Sequence, residues 1–265
     1  MEKLGIIAGH GPLPFIAAAE AKAQGLRVVA VAIKEEADPA IEQAVDRTYW
    51  ISVGELGALL RAFTGEGVAD AVMVGKLRLS LLFSKLRPDL RGALLYFRLK
   101  DRRGDTILEA VAEELKREGI LIHECTRFLS SILLPKGVLT ARVPNEQEWE
   151  DIRFGREIAK AIASLRIGQT VVVKNRTILA VESAEGTDEA IRRGGRLGRG
   201  GVVVKVSRPD QDLRFDLPVV GKGTVEALEE AKATALALDA GRTFLLDGQE
   251  VKRSADEAGI AIVAD

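Results

Sequence analysis

The sequence predicts an α/β protein of two domains, on three observations. Short β-branched runs alternate with amphipathic stretches in the first half, as in parallel strands joined by helices. A cluster of Pro135, Gly137 and Pro144 then interrupts the pattern, and the strand and helix signals start afresh beyond it. With 265 residues, 47% of them hydrophobic, the chain has apolar material for two cores. The division expected is 1–134 and 135–265.

In the first part, Leu4 to Ala8, Arg27 to Ile33 and Val68 to Val74 read as buried strands. Leu13 to Gln24 reads as a helix closed by Gly25, and Glu55 to Phe63 as a second helix closed near Gly65. A helix from Asp105 to Arg117 ends at Gly119 before the strand-like Ile120 to Ile122. The stretch from Leu77 to Lys100 is rich in Leu and Arg and is expected to form one or two irregular helices. The sum is a doubly wound, Rossmann-like parallel sheet.

In the second part, Asn145 followed by Glu148 signals a helix start, and Trp149, Ile152, Ile158, Ala159 and Ile162 form an apolar stripe at helical spacing. TVVVKNRTILAVE reads as a hairpin turning at Asn175-Arg176, since Asn tolerates positive φ. A helix near Glu189 to Arg193, a strand Val202 to Val206, a helix Val225 to Leu238 and a final pair of strands around Asp247-Gly248 complete an α/β domain with a mixed sheet.

Bulk properties narrow the function. Lys and Arg number 38 against 39 Asp and Glu and are well mixed along the sequence, so no basic face or tail marks a nucleic-acid or anionic-membrane binder, and generic electrostatic binding is not expected. Cys125 is single and cannot form an internal disulfide. The start MEKLGIIAGHG lacks the marks of a leader peptide, and no apolar run approaches the roughly 20 residues of a membrane span. A cytoplasmic location is expected, with at most peripheral membrane contact.

The chemistry concentrates in a few places. The first strand runs into Gly9-His10-Gly11-Pro12-Leu13-Pro14 and then a helix, an arrangement whose glycines and free N–H groups suit a nucleotide phosphate. Read plainly, it is a tight strand-to-helix turn. Pro14 stands where the dinucleotide fingerprint wants Gly, which argues against a nicotinamide oxidoreductase, and Glu35 or Glu36 sits where a ribose-binding acid would. Gly75-Lys76-Leu77-Arg78 follows another strand and places two cations at the sheet's carboxyl end. His10, His123 and Cys125 read as ordinary packed or surface residues, and no Gly-x-Ser-x-Gly elbow appears. In the second half, ESAEGTD (182–188) and KVSRPDQDLRFDLP (205–218) gather Glu182, Glu185, Asp188, Asp210, Asp212 and Asp216 near Lys205, Arg208 and Arg214. Carboxylates beside cations suit a Mg²⁺-phosphate site, although a solvated charged loop has the same composition.

These segments together resemble the LpxI family, the UDP-2,3-diacylglucosamine pyrophosphatases of lipid A biosynthesis. The resemblance spans nearly the whole chain. It is carried by IAGHGPLP, Val74-Gly75-Lys76, Gly104-Asp105, GVLTARVP (137–144), Asp151-Ile152, AVESAEGTD (180–188) and VVKVSRPDQDLRFDLPVVGKGTVE (203–226). It implies an N-terminal domain holding UDP, a C-terminal domain holding the acylated glucosamine phosphate, catalysis between them with a divalent cation, and UMP and 2,3-diacylglucosamine 1-phosphate as products. It places a catalytic aspartate at Asp216, as metal ligand or water-orienting group, and suggests a homodimer. Two departures are Leu165-Arg166-Ile167-Gly168-Gln169 for Leu-Asp-Val-Gly-Gln, and Gly104-Asp105-Thr106 for Gly-Asp-Asp.

The expected site is therefore Asp216, Asp188 and Asp212 as catalytic residues, the first two also as ligands of Mg²⁺ or another divalent cation. Lys205 and Arg208 neutralise the departing phosphate, and Thr187 donates to a phosphate oxygen. Gly9, Gly11, Leu13, Pro14, Gly75, Lys76, Arg78 and Asp105 serve the substrate. The acyl chains are expected along Val225 to Leu238 or Phe154 to Leu165, each buried methylene being worth roughly 0.8 kcal/mol. The rival reading is a nucleotide-sugar sensor that binds without cutting.

Overall fold

The computed structural model describes residues 2–78, 88–99, 101, 103–208, 210–215 and 218–265, without the side chain of Asp105. The chain divides into two compact units, Met1–Ser131 with Asp212–Phe215, and Ile132–Gln211 with Asp216–Asp265.

The first unit is a parallel sheet in the order β3-β2-β1-β4-β5. Its strands are β1 (Lys3–Ala8), β2 (Arg27–Ile33), β3 (Arg47–Ile51), β4 (Asp70–Val74) and β5 (Leu121–Ile122), and its helices α1 (Leu13–Ala23), α2 (Ile41–Ala44), α3 (Leu56–Glu66), α4 (Leu90–Arg98) and α5 (Gly104–Arg117). β1 and β2 are buried almost throughout, as continuous apolar runs in a sheet covered on both faces must be. The core on one face joins Val29, Val31, Leu59, Leu60, Phe63 and Leu115. α3 runs past the expected stop at Gly65 and closes at Gly67, whose φ of 67° supplies the left-handed cap. β3 is an edge strand absent from the sequence reading, because of its five residues only Ile51 is fully buried and the pattern carries little periodicity. In the irregular Leu77 to Lys100 stretch, α4 is a regular helix begun by Asp89, whose side chain accepts the Gly92 N–H at 2.9 Å. The rest of that expectation, 79–87 and Lys100, lies outside the described residues.

Four residues from the far half of the sequence belong to this first unit. Cys125 N–H donates to Leu213 O (3.0 Å), its thiol lies 3.2 Å from Arg214 O, and Phe215 packs against the core.

The second unit holds a mixed sheet in the order β6-β13-β11-β9-β7-β8 and a two-stranded parallel pair, β10 with β12. The strands are β6 (Gly137–Val138), β7 (Thr170–Lys174), β8 (Thr177–Val181), β9 (Val202–Lys205), β10 (Val219–Val220), β11 (Ala235–Leu238), β12 (Phe244–Leu245) and β13 (Ala261–Ala264). The helices are α6 (Glu146–Ser164), α7 (Thr187–Leu197), α8 (Lys222–Glu230) and α9 (Gly248–Glu257). α6 opens with the expected capping box between Asn145 and Glu148. The β7–β8 hairpin turns at Asn175 and Arg176, both at positive φ (49° and 57°), and the buried Asp151 carboxylate accepts both their N–H groups at 2.9 and 2.7 Å.

Two expectations for this unit need correction. Val225 to Leu238 is not one helix: α8 ends at Glu230, Lys232 takes φ 54°, and Ala235–Leu238 is a central strand. A four-residue Ala-Leu run buried on both faces carries no period to distinguish strand from helix. Around Asp247-Gly248 the chain starts α9 rather than pairing two strands; β12 and β13 lie on either side of that helix.

Candidate functional site

In the first unit the sheet order reverses between β1 and β4, and the loops leaving their carboxyl ends are the two glycine segments found in the sequence. Open α/β sheets bind ligands at such a switch point. The loops are tied together. Gly9 N–H donates to Val74 O (2.9 Å), His10 N–H to Lys76 O (2.8 Å) and Lys76 N–H back to His10 O (2.8 Å).

The three glycines have different tasks. A Cβ on Gly9 would stand 2.7 Å from Lys76 O, and one on Gly75 would stand 2.7 Å from the Gly9 carbonyl carbon, so these two allow one loop to lie against the other. Gly11 has φ +98° with nothing within 4 Å of a Cβ, which leaves its backbone open to a ligand. α1 then begins at Leu13 behind Pro12, with Pro14 buried, no acidic residue in the first turn and no side chain capping its N–H groups. An uncapped helix N-terminus beside an open glycine is a phosphate site in form.

Lys76 is exposed at this edge. Arg78 is held back: its N–H and Nε both donate to Glu36 Oε1 at 2.9 Å, and Nη2 donates to Glu35 O at 3.4 Å. Burial raises the Glu36 pKa, and the hydrogen bonds from Arg78 outweigh it, so that the carboxyl lies below its ordinary value. Glu36, read as a candidate for ribose, is thus committed to Arg78, while Glu35 Oε2 accepts the Val53 N–H at 3.3 Å. Asp105 is the second residue of α5, and its side chain lies outside the described residues.

In the second unit, Lys205 ends β9 and Thr187 begins α7. Lys205 Nζ donates to Thr187 Oγ1 (2.8 Å), and Thr187 Oγ1 donates to Glu182 Oε1 (2.9 Å), a line of cation, hydroxyl and carboxylate. Glu182 Oε2 also accepts the Gln169 N–H at 3.2 Å. Because the Thr187 proton goes to Glu182, an anion at this end of α7 would be met by backbone N–H groups behind Gly186, a cap with no side-chain bond. Asp188, in the same first turn, accepts from Thr224 Oγ1 at 3.3 Å and so joins the start of α8 to the start of α7. Arg208 lies three residues beyond β9, its N–H donating to Gln211 Oε1 at 2.9 Å. Thus Thr187, Asp188 and Lys205 come together; Glu182, one of the carboxylates gathered for a Mg²⁺-phosphate site, is the partner of Thr187, and Thr224, which the sequence did not single out, is the partner of Asp188.

Asp212 is placed elsewhere, in the segment of the first unit. Arg214 grips it through N–H, Nε and Nη2 at 2.6 to 3.1 Å and holds its carboxyl below the ordinary range. The Arg214 guanidinium lies 4.7 Å from the Phe215 ring centre. Asp216 lies outside the described residues. Among the described residues, no group of three or more His, Cys, Asp or Glu side chains could hold a metal ion, and no helix is long and apolar enough to cross a membrane.

Comparison with known proteins covers the chain end to end. A family model described as the LpxI N-terminal domain matches residues 3–132, and one described as the LpxI C-terminal domain matches residues 135–263. The UDP-2,3-diacylglucosamine pyrophosphatase LpxI of Caulobacter vibrioides is 32% identical over 275 residues, which cover 99% of this chain and 97% of that protein. Among solved structures, a Rhizobium etli pyruvate carboxylase matches at 12% identity and a TM-score of 0.30, over 56% of this chain and 14% of its own. A Campylobacter jejuni biotin carboxylase matches at 12% and 0.30, over 73% of this chain and 41% of its own. Likeness at that level carries no argument about fold or function. The two family models and the Caulobacter relative do: this chain belongs to the LpxI family.

Proposed function

We propose that the chain hydrolyses the pyrophosphate of UDP-2,3-diacylglucosamine, releasing UMP and 2,3-diacylglucosamine 1-phosphate. The observation that carries this reading is the end-to-end match to a relative named for that activity, 32% identical over 99% of the chain. The uridine nucleotide belongs to the first unit, with a phosphate at Gly11 and the start of α1, and Lys76 neutralising it. The acylated sugar phosphate belongs to the second, where the starts of α7 and α8 and the Lys205–Thr187–Glu182 line offer donors and positive potential.

Water attacks one phosphorus in line, and most of the rate comes from holding the diphosphate still and offsetting its charge. Mg²⁺ characteristically takes one or two protein carboxylates and fills its remaining positions with waters and substrate phosphates. Asp188, in the first turn of α7, would supply one such carboxylate, and Asp216 is proposed as the other. When bound, the ion would offset the negative charge of the diphosphate. Asp216 would bind it or orient the water. Glu182, accepting from Thr187, fixes the Thr187 oxygen toward Lys205 and so positions the ammonium. Arg78 supports the nucleotide loop through Glu36 instead of reaching the substrate. The site works in the cytoplasm, beside the membrane that holds a diacylated substrate.

The test is UMP release from UDP-2,3-diacylglucosamine with Mg²⁺, with EDTA, and with Asp216→Ala. Release that needs the ion and falls by orders of magnitude in the variant supports the assignment. Tight binding of the substrate without release would make the chain a sensor, and near-normal turnover by Asp216→Ala would remove that residue from the mechanism.

A further inference from the structure

A largely buried ion pair lies across the carboxyl ends of the second unit's parallel strands. β9, β11 and β13 run in one direction, with Lys205 opposite Leu238 and Leu238 opposite Ala264, so the residues that follow all three leave the sheet at one edge. α6 rests on this sheet at Gly155, where a Cβ would stand 2.8 Å from the side chains of Val173 and Val204. The next residue, Arg156, donates through Nη1 to Asp239 and through Nη2 to Leu238 O (3.1 Å) and to Asp265. The side chains of Arg156 and Asp239 are only 15% and 13% exposed, whereas that of Asp265 is 44% exposed.

Asp239 divides its two oxygens. Oδ1 takes Arg156, and Oδ2 accepts the N–H of the buried Ser207 at 2.7 Å. Ser207 stands two residues past Lys205 and one before Arg208. The same turn is tied from the other side. Val206 N–H donates to Gln169 O (2.9 Å), Gln169 N–H donates to Glu182 Oε2 (3.2 Å), and Glu182 continues through Thr187 to Lys205. A buried pair of opposite charges adds little net stability over apolar residues of the same volume. What it does here is hold the Asp239 carboxylate in one orientation, with its free oxygen on a backbone N–H in a charge-assisted bond.

We propose that Asp239, oriented by Arg156, is a positioning residue: it holds the turn at 206–208 so that Lys205 and Arg208 meet the phosphate of the acylated sugar. This rests on the function proposed above. Titration of 2,3-diacylglucosamine 1-phosphate into three full-length variants tests it. Asp239→Asn keeps an oxygen for Ser207 but turns an amide against Arg156, and is expected to lower the melting temperature while holding lipid-phosphate affinity within about twofold. Asp239→Leu combined with Arg156→Met removes the acceptor without leaving a bare buried charge, so it is expected to stay folded. It should bind the lipid phosphate on the order of tenfold more weakly and lose on the order of a hundredfold in kcat/KM for UMP release, with UMP affinity unchanged. Lys205→Met is the control and is expected to weaken the same ligand. Affinity that follows melting temperature across the two Asp239 variants would mark a structural role and overturn the inference. Loss of affinity in folded Asp239→Asn overturns it as well, whether or not the double variant folds. If Lys205→Met binds the lipid phosphate as the unmodified protein does, the site reading fails and this inference with it. If Lys205→Met is weakened and the double variant is not, only the positioning role falls.

Discussion

Gly11 and Gly75 share a backbone conformation, φ +98° and +97°, and differ in their surroundings, so alanine at each separates conformational cost from contact cost. Placing an L side chain at such a φ costs about 1–3 kcal/mol at either position. At Gly11 that is the whole cost, because the new Cβ meets nothing within 4 Å. At Gly75 the new Cβ stands 2.7 Å from the Gly9 carbonyl carbon and 2.9 Å from its oxygen, both backbone atoms. Restoring ordinary contact at 3.4 Å needs the loops to part by ~0.7 Å. That strains the His10–Lys76 bridge, two hydrogen bonds of 2.8 Å worth about 1 kcal/mol each. Gly75→Ala is therefore expected to be less stable than Gly11→Ala by roughly 2 kcal/mol, or roughly 6–10 °C in melting temperature for a unit of this size. Urea and thermal unfolding of the two full-length variants measure the difference. Ligand binding should reverse the order: under conditions where both are folded, Gly11→Ala loses nucleotide affinity and Gly75→Ala keeps most of it. Equal stability of the two variants would refute the division of labour between these glycines.

Three further outcomes follow from the same geometry. Lys205→Met removes the donor to Thr187 and should lower kcat/KM by on the order of a hundredfold while shifting the melting temperature little; unchanged kinetics would take Lys205 out of the site. Gly195→Ala would place a Cβ 2.4 Å from the Ala231 Cα and 2.7 Å from its carbonyl oxygen, and should cost the second unit about 1–3 kcal/mol in urea unfolding. Glu36 and Asp212 have pKa values below their ordinary 4.5 and 3.8 when folded, so their contribution is present above those values and is lost as pH falls through the depressed ones. Unfolding measured from pH 6 to pH 3 should show stability falling below about pH 4.5, with a shallower fall in Glu36→Gln; an identical profile for the two proteins would contradict the Arg78–Glu36 account.

Much of the fold was legible because parallel strands buried on both faces leave continuous apolar runs, and β1, β2 and β4 read directly as such. β3 was missed because an edge strand of Arg-Thr-Tyr-Trp-Ile is half solvated and carries no such run. β11 was absorbed into a helix because four alternating Ala and Leu residues fit either period, and the break depends on Lys232 at φ 54°, which no residue preference announces. At the site, the sequence located the glycine loops but could not say which glycine faces a ligand, since that depends on the loop lying opposite. The Asp212–Arg214 grip is short-range and readable in principle, whereas the packing of that segment on Cys125 and the first core is a long-range fact. Asp151, one of the residues that carried the family resemblance, serves the hairpin turn instead of the chemistry.

We propose that the nucleotide sits on the first unit's switch point and the acylated sugar phosphate at the second unit's α7 end. Calorimetric titration of UMP and of 2,3-diacylglucosamine 1-phosphate into Lys76→Ala and Lys205→Met tests it most directly. Lys76→Ala is expected to weaken UMP binding and spare the lipid phosphate, and Lys205→Met to do the converse. Loss of both affinities in one variant, with neither lost in the other, would contradict it.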